Sequence, residues 1–414
     1  MNNFIGYRCS ICNTEYSPTE LEYTCPKDGG NLEVVLDYTR LAKIHNPKDI
    51  LSSNEHSLWR YIPLLPVIDP GGNETPLHSA GYTPVYQSTE LARSAGIKNL
   101  WIKDESRNPT ASFKDRASAI VVARAREIGA DIVVTASTGN AGAALAGMAA
   151  AIGQKAVIFA PRTAPPAKIA QLLIFGASVY LVDGTYDDAF DLTIRASEEF
   201  GWYCRNTGYN PFTIEGKKTA ALEIWEWMTH NQQNLTKKLS VFVSVGDGNI
   251  ISGLHKGFSD LEKLGWLNQI PKIFGVQAIG SAAISNAYFA GTEKIIPVKA
   301  NTLADSISVD LPRDGVRAVR AARQTNGGYV VVNDDEIVSA IAELGRVGIF
   351  AEPAGATSYA GLVKAAQTGL IQSDEPVMVL NTGSGLKDIR AAMKAVKEPI
   401  IIEPTLAALK NVII

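Results

Sequence analysis

From about residue 81 onward, short runs of β-branched apolar residues alternate with longer stretches of helical periodicity. The runs are "DIVVT" (131–135), "AVIFA" (156–160), "SVYLV" (178–182), "SVFVSV" (240–245), "IFGVQA" (273–278), "YVVV" (329–332) and "VMVL" (377–380). Short continuous apolar runs with helices between them predict parallel strands covered on both faces by helices, an α/β fold. Helix punctuation agrees. "PPAKIAQLLIFGAS" (165–178) opens on prolines suited to a first turn and stops at Gly176, a C′ glycine. Residues 36–80, with Pro47, Pro63, Pro66 and Pro70, read instead as an irregular, partly helical connector. No internal repeat or low-complexity tract interrupts the pattern.

Residues 1–35 form a third region, with Cys9 and Cys12 as a Cys-x2-Cys pair and Cys25 opening a second knuckle, "CPKD". Asp28 stands where a fourth cysteine would complete a zinc ribbon. Three thiolates and a carboxylate can bind zinc, but the set is uncommon and weaker. The expectation is a degenerate ribbon without metal, docked on the main body, with Cys9, Cys12, Cys25 and Asp28 as tentative ligands should zinc be present.

Composition narrows the class. The 414 residues are 46% hydrophobic and 20% charged, as in ordinary globular proteins, and suffice for two or three packed units. A net charge of −3 with no like-charge block gives no reason to expect nucleic acid or an anionic membrane as partner. The start, "MNNFIGYRCS", lacks a basic region followed by an apolar run, and the Ala- and Gly-rich stretch 141–160 is broken by Gln154 and Lys155. Four cysteines are too few for a disulfide scaffold, so a cytoplasmic location is expected.

In an open α/β sheet, sites lie beyond the C-terminal strand ends. After "DIVVT" comes "ASTGNAGAALAG" (136–147), a polar turn of Ser137, Thr138, Gly139 and Asn140 running into a small-residue helix. Its N–H groups suit an anion and the Asn140 amide suits a hydroxyl or carboxylate; a plain N-cap is the alternative. After "SVFVSV" comes "GDGNIISGLHKG" (246–257), a glycine turn that can cradle a phosphate but is neither a Walker loop nor a dinucleotide fingerprint. Asp247 would repel a phosphate and should face away from it. After "VMVL" comes "NTGSGLKD" (381–388), where Thr382 and Ser384 offer hydroxyls able to hydrogen-bond a ring nitrogen. Lys114 in "NPTASFKDR" (108–116) follows a turn and would, if buried, have the lowered pKa an imine-forming amine needs. Phosphate, hydroxyl, ring nitrogen and lysine together point to pyridoxal phosphate (PLP). The five histidines fall in no nucleophile-elbow context, and Cys204 reads as a core residue.

These motifs, in this order, resemble the threonine synthases, within the tryptophan-synthase-β-like (fold type II) family of PLP enzymes. "LWRYIPLLPV" (58–67), "GYTPV" (81–85), "IEGKKTAALEI" (214–224) and "EPAGA" (352–356) match in kind. The resemblance implies Lys114 as Schiff-base lysine and proton-transfer base. It implies Asn140 at the ring hydroxyl, Gly246, Asp247, Gly248, Asn249 and Ile250 around the cofactor phosphate, and Thr382 at the pyridine nitrogen. Ser137 and Thr138 would receive the substrate α-carboxylate. The implied fold is a small mobile α/β domain (115–215) and a large PLP-binding domain (36–114 and 216–414), in a homodimer. The implied reaction turns O-phosphohomoserine and water into threonine and phosphate.

Two departures bear on the substrate. "NPFTIEGKKT" (210–219) has Thr213 where the family tends to carry a phosphate-clamping arginine, and Lys217 where it carries glutamine. Ala141 replaces a threonine common after the ring-binding asparagine. Two alternatives follow: Lys217 or Lys218 restores the charge, or both are exposed helix lysines. The competing expectations are a related lyase acting on threonine or serine, a β-replacement enzyme with an unphosphorylated substrate, and a catalytically idle homologue.

Overall fold

The computed structural model describes every residue except 1, 2, 21, 22, 138, 165, 236 and 414. Among the described residues, thirteen strands fall into three sheets. The N-terminal ribbon holds β1 (Phe4–Cys9), β2 (Glu15–Tyr16) and β3 (Leu32–Leu36), antiparallel in the order β2-β1-β3. The next three strands are β4 (Val85–Gln87), β5 (Asn99–Asp104) and β6 (Ile132–Ala136). They are followed by β7 (Lys155–Pro161), β8 (Ser178–Val182) and β9 (Tyr203–Cys204). The last are β10 (Ser240–Ser244), β11 (Lys272–Ala278), β12 (Gly328–Val332) and β13 (Pro376–Asn381). A six-stranded sheet runs β12-β11-β10-β13-β5-β4, parallel except for the edge strand β4. A four-stranded, wholly parallel sheet runs β8-β7-β6-β9.

All seven apolar runs became strands. Val241, Phe242 and Val243 of β10 are fully buried, because helices cover both faces of its sheet. Phe242 stacks on Phe274 of the neighbouring β11 at 4.7 Å. The helix Pro166–Ile174 ends just before Gly176, whose φ is +79°. The four-stranded sheet lies within residues 115–215, and the six-stranded sheet draws on chain before and after it.

β5 carries no such apolar signature because it ends in Lys103 and Asp104. Both are buried. Lys103 Nζ donates to Glu223 Oε2 at 2.6 Å and to Thr83 Oγ1 at 2.8 Å. Arg116 joins the cluster: Nε meets Glu105 Oε2 at 2.7 Å and Nη2 meets Glu223 Oε2 at 2.7 Å. The charges behind Lys114 are thus structural. Arg116 ties the helix Lys114–Glu127 to Glu105, just past β5, and to the helix Thr219–His230, while Asp115 Oδ2 accepts the Thr110 N–H at 2.6 Å.

Burial alone would raise the Glu223 carboxyl, but Arg116 and Lys103 override it and hold it near 2, against an ordinary 4.5. A depressed carboxyl stabilises the fold above its unfolded pKa and loses that contribution as pH falls toward the folded one. Glu223→Gln leaves two buried cations short of a partner and should cost about 3–5 kcal/mol at neutral pH. Denaturant unfolding followed from pH 7 down to pH 2 should also show a flatter acid limb in the variant. An unchanged acid limb would show that this cluster does not set acid stability.

Candidate active site

The C-terminal ends of β6, β7 and β10 open on one cavity of about 360 Å³, walled by segments of both large sheets and their loops. Lys114, Ser137, Asn140, Lys217, Gly246, Asp247, Gly248, Asn249 and Ile250 all line it. Thr138 lies outside the described residues. The structure therefore gathers most of the residues singled out by motif, from Lys114 to Ile250, around one space.

Lys114 heads its helix from a loop stitched to the end of β13. Phe113 N–H donates to Thr382 O at 2.9 Å, Ser384 N–H donates to Ala111 O at 3.1 Å, and Ala111 takes φ +62° to allow the turn. Burial lowers the Lys114 pKa; Arg205 lowers it further, while Glu352 and Asp247 pull the other way. An amine lowered by burial is available as nucleophile and proton acceptor. Ser112 Oγ, two residues before it, is buried without a hydrogen-bond partner.

β10 leads through Gly246, Asp247 and Gly248 into the helix Asn249–Lys263. Gly248 is the N-cap at φ +90°, and a Cβ there would lie 2.7 Å from Ala318 Cβ and from Asp314 O. No side chain caps this helix, so its first N–H groups face the cavity as an anion cradle. Asp247 lines the cavity as a residue. Its carboxylate is partly engaged, with Oδ1 accepting the Arg313 N–H at 3.3 Å, and burial raises its pKa. The Asn249 side chain is taken: its Oδ1 accepts from Lys217 Nζ at 2.6 Å and its Nδ2 donates to Asp314 Oδ2 at 2.8 Å. What Asn249 offers the cradle is its main chain.

Asn140 is engaged as well. Its Nδ2 donates to Glu352 Oε1 at 2.8 Å and Oε2 at 2.9 Å, so a ring hydroxyl would share this amide with a carboxylate. Burial raises the Glu352 pKa, opposed by Lys114 and by the Asn140 hydrogen bond. Thr382 does not stand on the cavity wall. Ser244 does, and Thr382 Oγ1 lies 3.3 Å behind its Oγ. Ser137 lines the cavity beside the helix Asn140–Ala151, which also begins without a side-chain cap.

The two adjacent lysines part company. Lys218 is buried between Glu215 and Asp260, with Nζ 2.9 Å from Asp260 Oδ2, and is a structural ion pair. Lys217 lines the cavity, and its pKa is pushed well down by burial, then by Arg205 and Lys114. Thr213, at the missing arginine's position, spends its hydroxyl on Asn210 O at 2.8 Å. Sequence reasoning missed Arg205. It is fully buried and lines the cavity, with Nε toward Ser118 Oγ at 3.3 Å and Nη1 on Thr207 Oγ1 at 2.6 Å. Its Nη2 has no partner, and burial lowers its pKa to about 10. Ser244 and Glu352 were missed too, although Glu352 sits in a motif that had been noted.

A buried amine, an uncapped helix start, paired strand-end hydroxyls and an unpaired guanidinium nitrogen define a site for a phosphorylated aromatic aldehyde held on lysine. Residues 77–383 match the family described as pyridoxal-phosphate dependent enzyme. Threonine synthase from Methanocaldococcus jannaschii is 39% identical over 98% of this chain and 98% of its own length. The enzyme of the same name from Methanosarcina acetivorans is 36% identical over the same shares. Among solved structures, threonine deaminase isoform 2 from Solanum lycopersicum superposes with a TM-score of 0.66 at 26% identity, covering 82% of this chain and 92% of that one. Maize serine racemase gives a TM-score of 0.64 at 25% identity, covering 73% and 88%. The chain belongs to the pyridoxal-phosphate-dependent enzymes and, within them, to the threonine synthase family. The cofactor of that family fits these residues: Lys114 for its aldehyde, the Gly246–Ile250 turn for its phosphate, and Asn140 and the Ser244 hydroxyl, backed by Thr382, for its ring.

Proposed function

We propose that this chain converts O-phosphohomoserine and water to L-threonine and phosphate, as a PLP-dependent carbon–oxygen lyase. One observation carries the reading beyond family membership. Two anion-binding features open on one cavity: the uncapped helix start at Gly248, and the cations Arg205 and Lys217, the latter hydrogen-bonded to Asn249 of that helix start. A cofactor phosphate occupies one. An unphosphorylated amino acid would leave the other idle, whereas a γ-phosphorylated substrate uses both.

Bound here, PLP supplies an electron sink for negative charge at the substrate α- and β-carbons. The chain does the rest. Lys114 Nζ, its pKa lowered by burial, takes and returns protons at those carbons. Ser137 and the helix start behind it orient the α-carboxylate. Arg205 and Lys217 bind the γ-phosphate and compensate the charge that develops as it leaves. Lys168 Nζ meets Asp305 Oδ2 at 2.5 Å and Arg313 Nη2 meets Asp187 Oδ1 at 3.0 Å, clasps that link segment 115–215 to the larger part. Closure of that segment as a mobile domain would exclude water until the phosphate has gone. A homodimer rests on the resemblance, and a cytoplasmic location on the low cysteine content.

The test is phosphate release from O-phosphohomoserine, with threonine measured in parallel. Equal amounts of both products are expected. Turnover of threonine or serine to a keto acid, with none of O-phosphohomoserine, would overturn the reading and favour the dehydratase alternative.

A further inference from the structure

The ribbon contains two copies of one turn. In the first, Cys9 N–H donates to Thr14 O at 2.9 Å and Asn13 N–H donates to Cys9 O at 3.1 Å. In the second, Cys25 N–H donates to Gly30 O at 2.9 Å and Gly29 N–H donates to Cys25 O at 2.9 Å. The residue after each fourth position takes a left-handed conformation, Asn13 at φ +58° and Gly29 at φ +69°. Superposing the turns by these bonds puts Cys9 on Cys25 and Cys12 on Asp28. Asp28 therefore occupies the fourth corner by construction, not by chance proximity.

The side chains converge accordingly. One ligand atom from each of Cys9, Cys12, Cys25 and Asp28 lies within 4.8 Å of every other. Cys12 and Cys25 are free thiols whose Sγ atoms stand 3.7 Å apart. Zinc–sulfur bonds of about 2.3 Å in a tetrahedron require sulfurs about 3.8 Å apart, and a sulfur and a carboxylate oxygen about 3.5 Å apart. Cys9 Sγ lies 3.3 Å from Asp28 Oδ1. Outer donors are in place too. Ile11 N–H points at Cys9 Sγ at 3.4 Å and Tyr16 Oη stands 3.0 Å from Cys25 Sγ. Such contacts to thiolate sulfur are the second shell that thiolate metal sites use.

We propose that Cys9, Cys12, Cys25 and Asp28 form a structural zinc site, reversing the expectation of a metal-free ribbon. Each thiol gives up its proton to solvent on binding, leaving a site of net charge −2 with all four positions filled by protein. It is closed to catalysis and serves to hold the ribbon. The ribbon in turn bears on the cavity. Asn31 Nδ2, next to the second turn, donates to Arg313 O at 3.1 Å and to Gly208 O. Arg317 Nη1 donates to Leu32 O at 3.2 Å. Arg313 itself lines the cavity and donates its N–H to Asp247. The metal would thus brace the loops that frame the substrate site from outside.

The experiment uses the full chain, expressed with zinc and kept reduced, and measures metal content by mass spectrometry after gel filtration. About one zinc per chain is expected. Cobalt substitution should produce tetrahedral d–d bands and a thiolate-to-cobalt charge-transfer band. Cys12→Ser, at an exposed position, should lower metal retention by about tenfold or more. Asp28→Cys should keep the metal and strengthen the thiolate band. PLP absorbance reports independently that each variant is folded. A reduced, PLP-loaded protein with neither zinc nor cobalt uptake would overturn the proposal. So would metal that survives Cys12→Ser combined with Asp28→Ala. None of these readouts depends on turnover, so failure of the proposed reaction leaves this test intact.

Discussion

Lys114→Ala should retain its fold and lose at least about a thousandfold in phosphate release, the upper range for removing a proton-transferring group. The visible absorbance of lysine-bound PLP should vanish with it, leaving free-aldehyde absorbance. Both follow from one feature. The amine is the residue that burial and the stitched 111–113 loop place at the cavity with a lowered pKa. Lys217 is a second buried amine in the same cavity, which makes substitution by a neighbour a fair challenge. It should fail, because Lys217 Nζ is already held at 2.6 Å by Asn249 Oδ1. Added small primary amines should restore part of the activity by supplying the missing proton carrier. Full activity in Lys114→Ala, or covalent PLP on Lys217, would remove Lys114 from the centre of the mechanism.

What sequence could and could not reveal divides along locality. The strands legible in advance are those whose burial writes itself into consecutive residues, such as "SVFVSV", where Val241 to Val243 have no exposed face. β5 was hidden because Lys103 and Asp104 read as surface and are buried by distant partners, Glu223 for Lys103 and Asn381 for Asp104. β9 is two residues long and has no periodicity to detect. The site followed the same division. Lys114, Ser137, Asn140 and the Gly246–Ile250 turn sit in compact motifs at strand ends, so local reading found them. Arg205 also follows a strand end, but that strand is the invisible β9. Lys217 and Lys218 are indistinguishable as neighbours in a string. About 100° of helical rotation separates them, and that sends one to Asp260 and the other to the cavity. Asn249 shows the converse limit. Its motif marks it for the phosphate, yet only its backbone is free to serve, because Lys217 and Asp314 claim its side chain.

Arg205→Met should lower kcat/KM for O-phosphohomoserine by roughly 30- to 1000-fold, corresponding to about 2–4 kcal/mol for loss of one partner of a buried charge-assisted contact. The reasoning starts from the orphaned Nη2 and the two depressed cations. Arg205 and Lys217 each carry a burial penalty, and Arg205 presses further on Lys217. Only a bound anion relieves all three costs at once. Without it the arrangement is unfavourable, so Arg205→Met should leave the melting temperature unchanged or raise it, as expected where stability is spent on function. PLP retention should be unaffected. Arg205→Lys should recover part of the loss, keeping charge without the planar fork. Inorganic phosphate as a competitive inhibitor should weaken in step with KM. Lys217 adds a pH signature. Burial lowers its folded pKa and a bound phosphate would raise it, so phosphate binding is linked to proton uptake at Lys217. Linkage makes phosphate affinity fall as pH rises, and Lys217→Met should flatten that dependence. A variant with normal KM but a lower melting temperature would reduce Arg205 to a packing role. The phosphate leaving group would then have to be held elsewhere in the cavity.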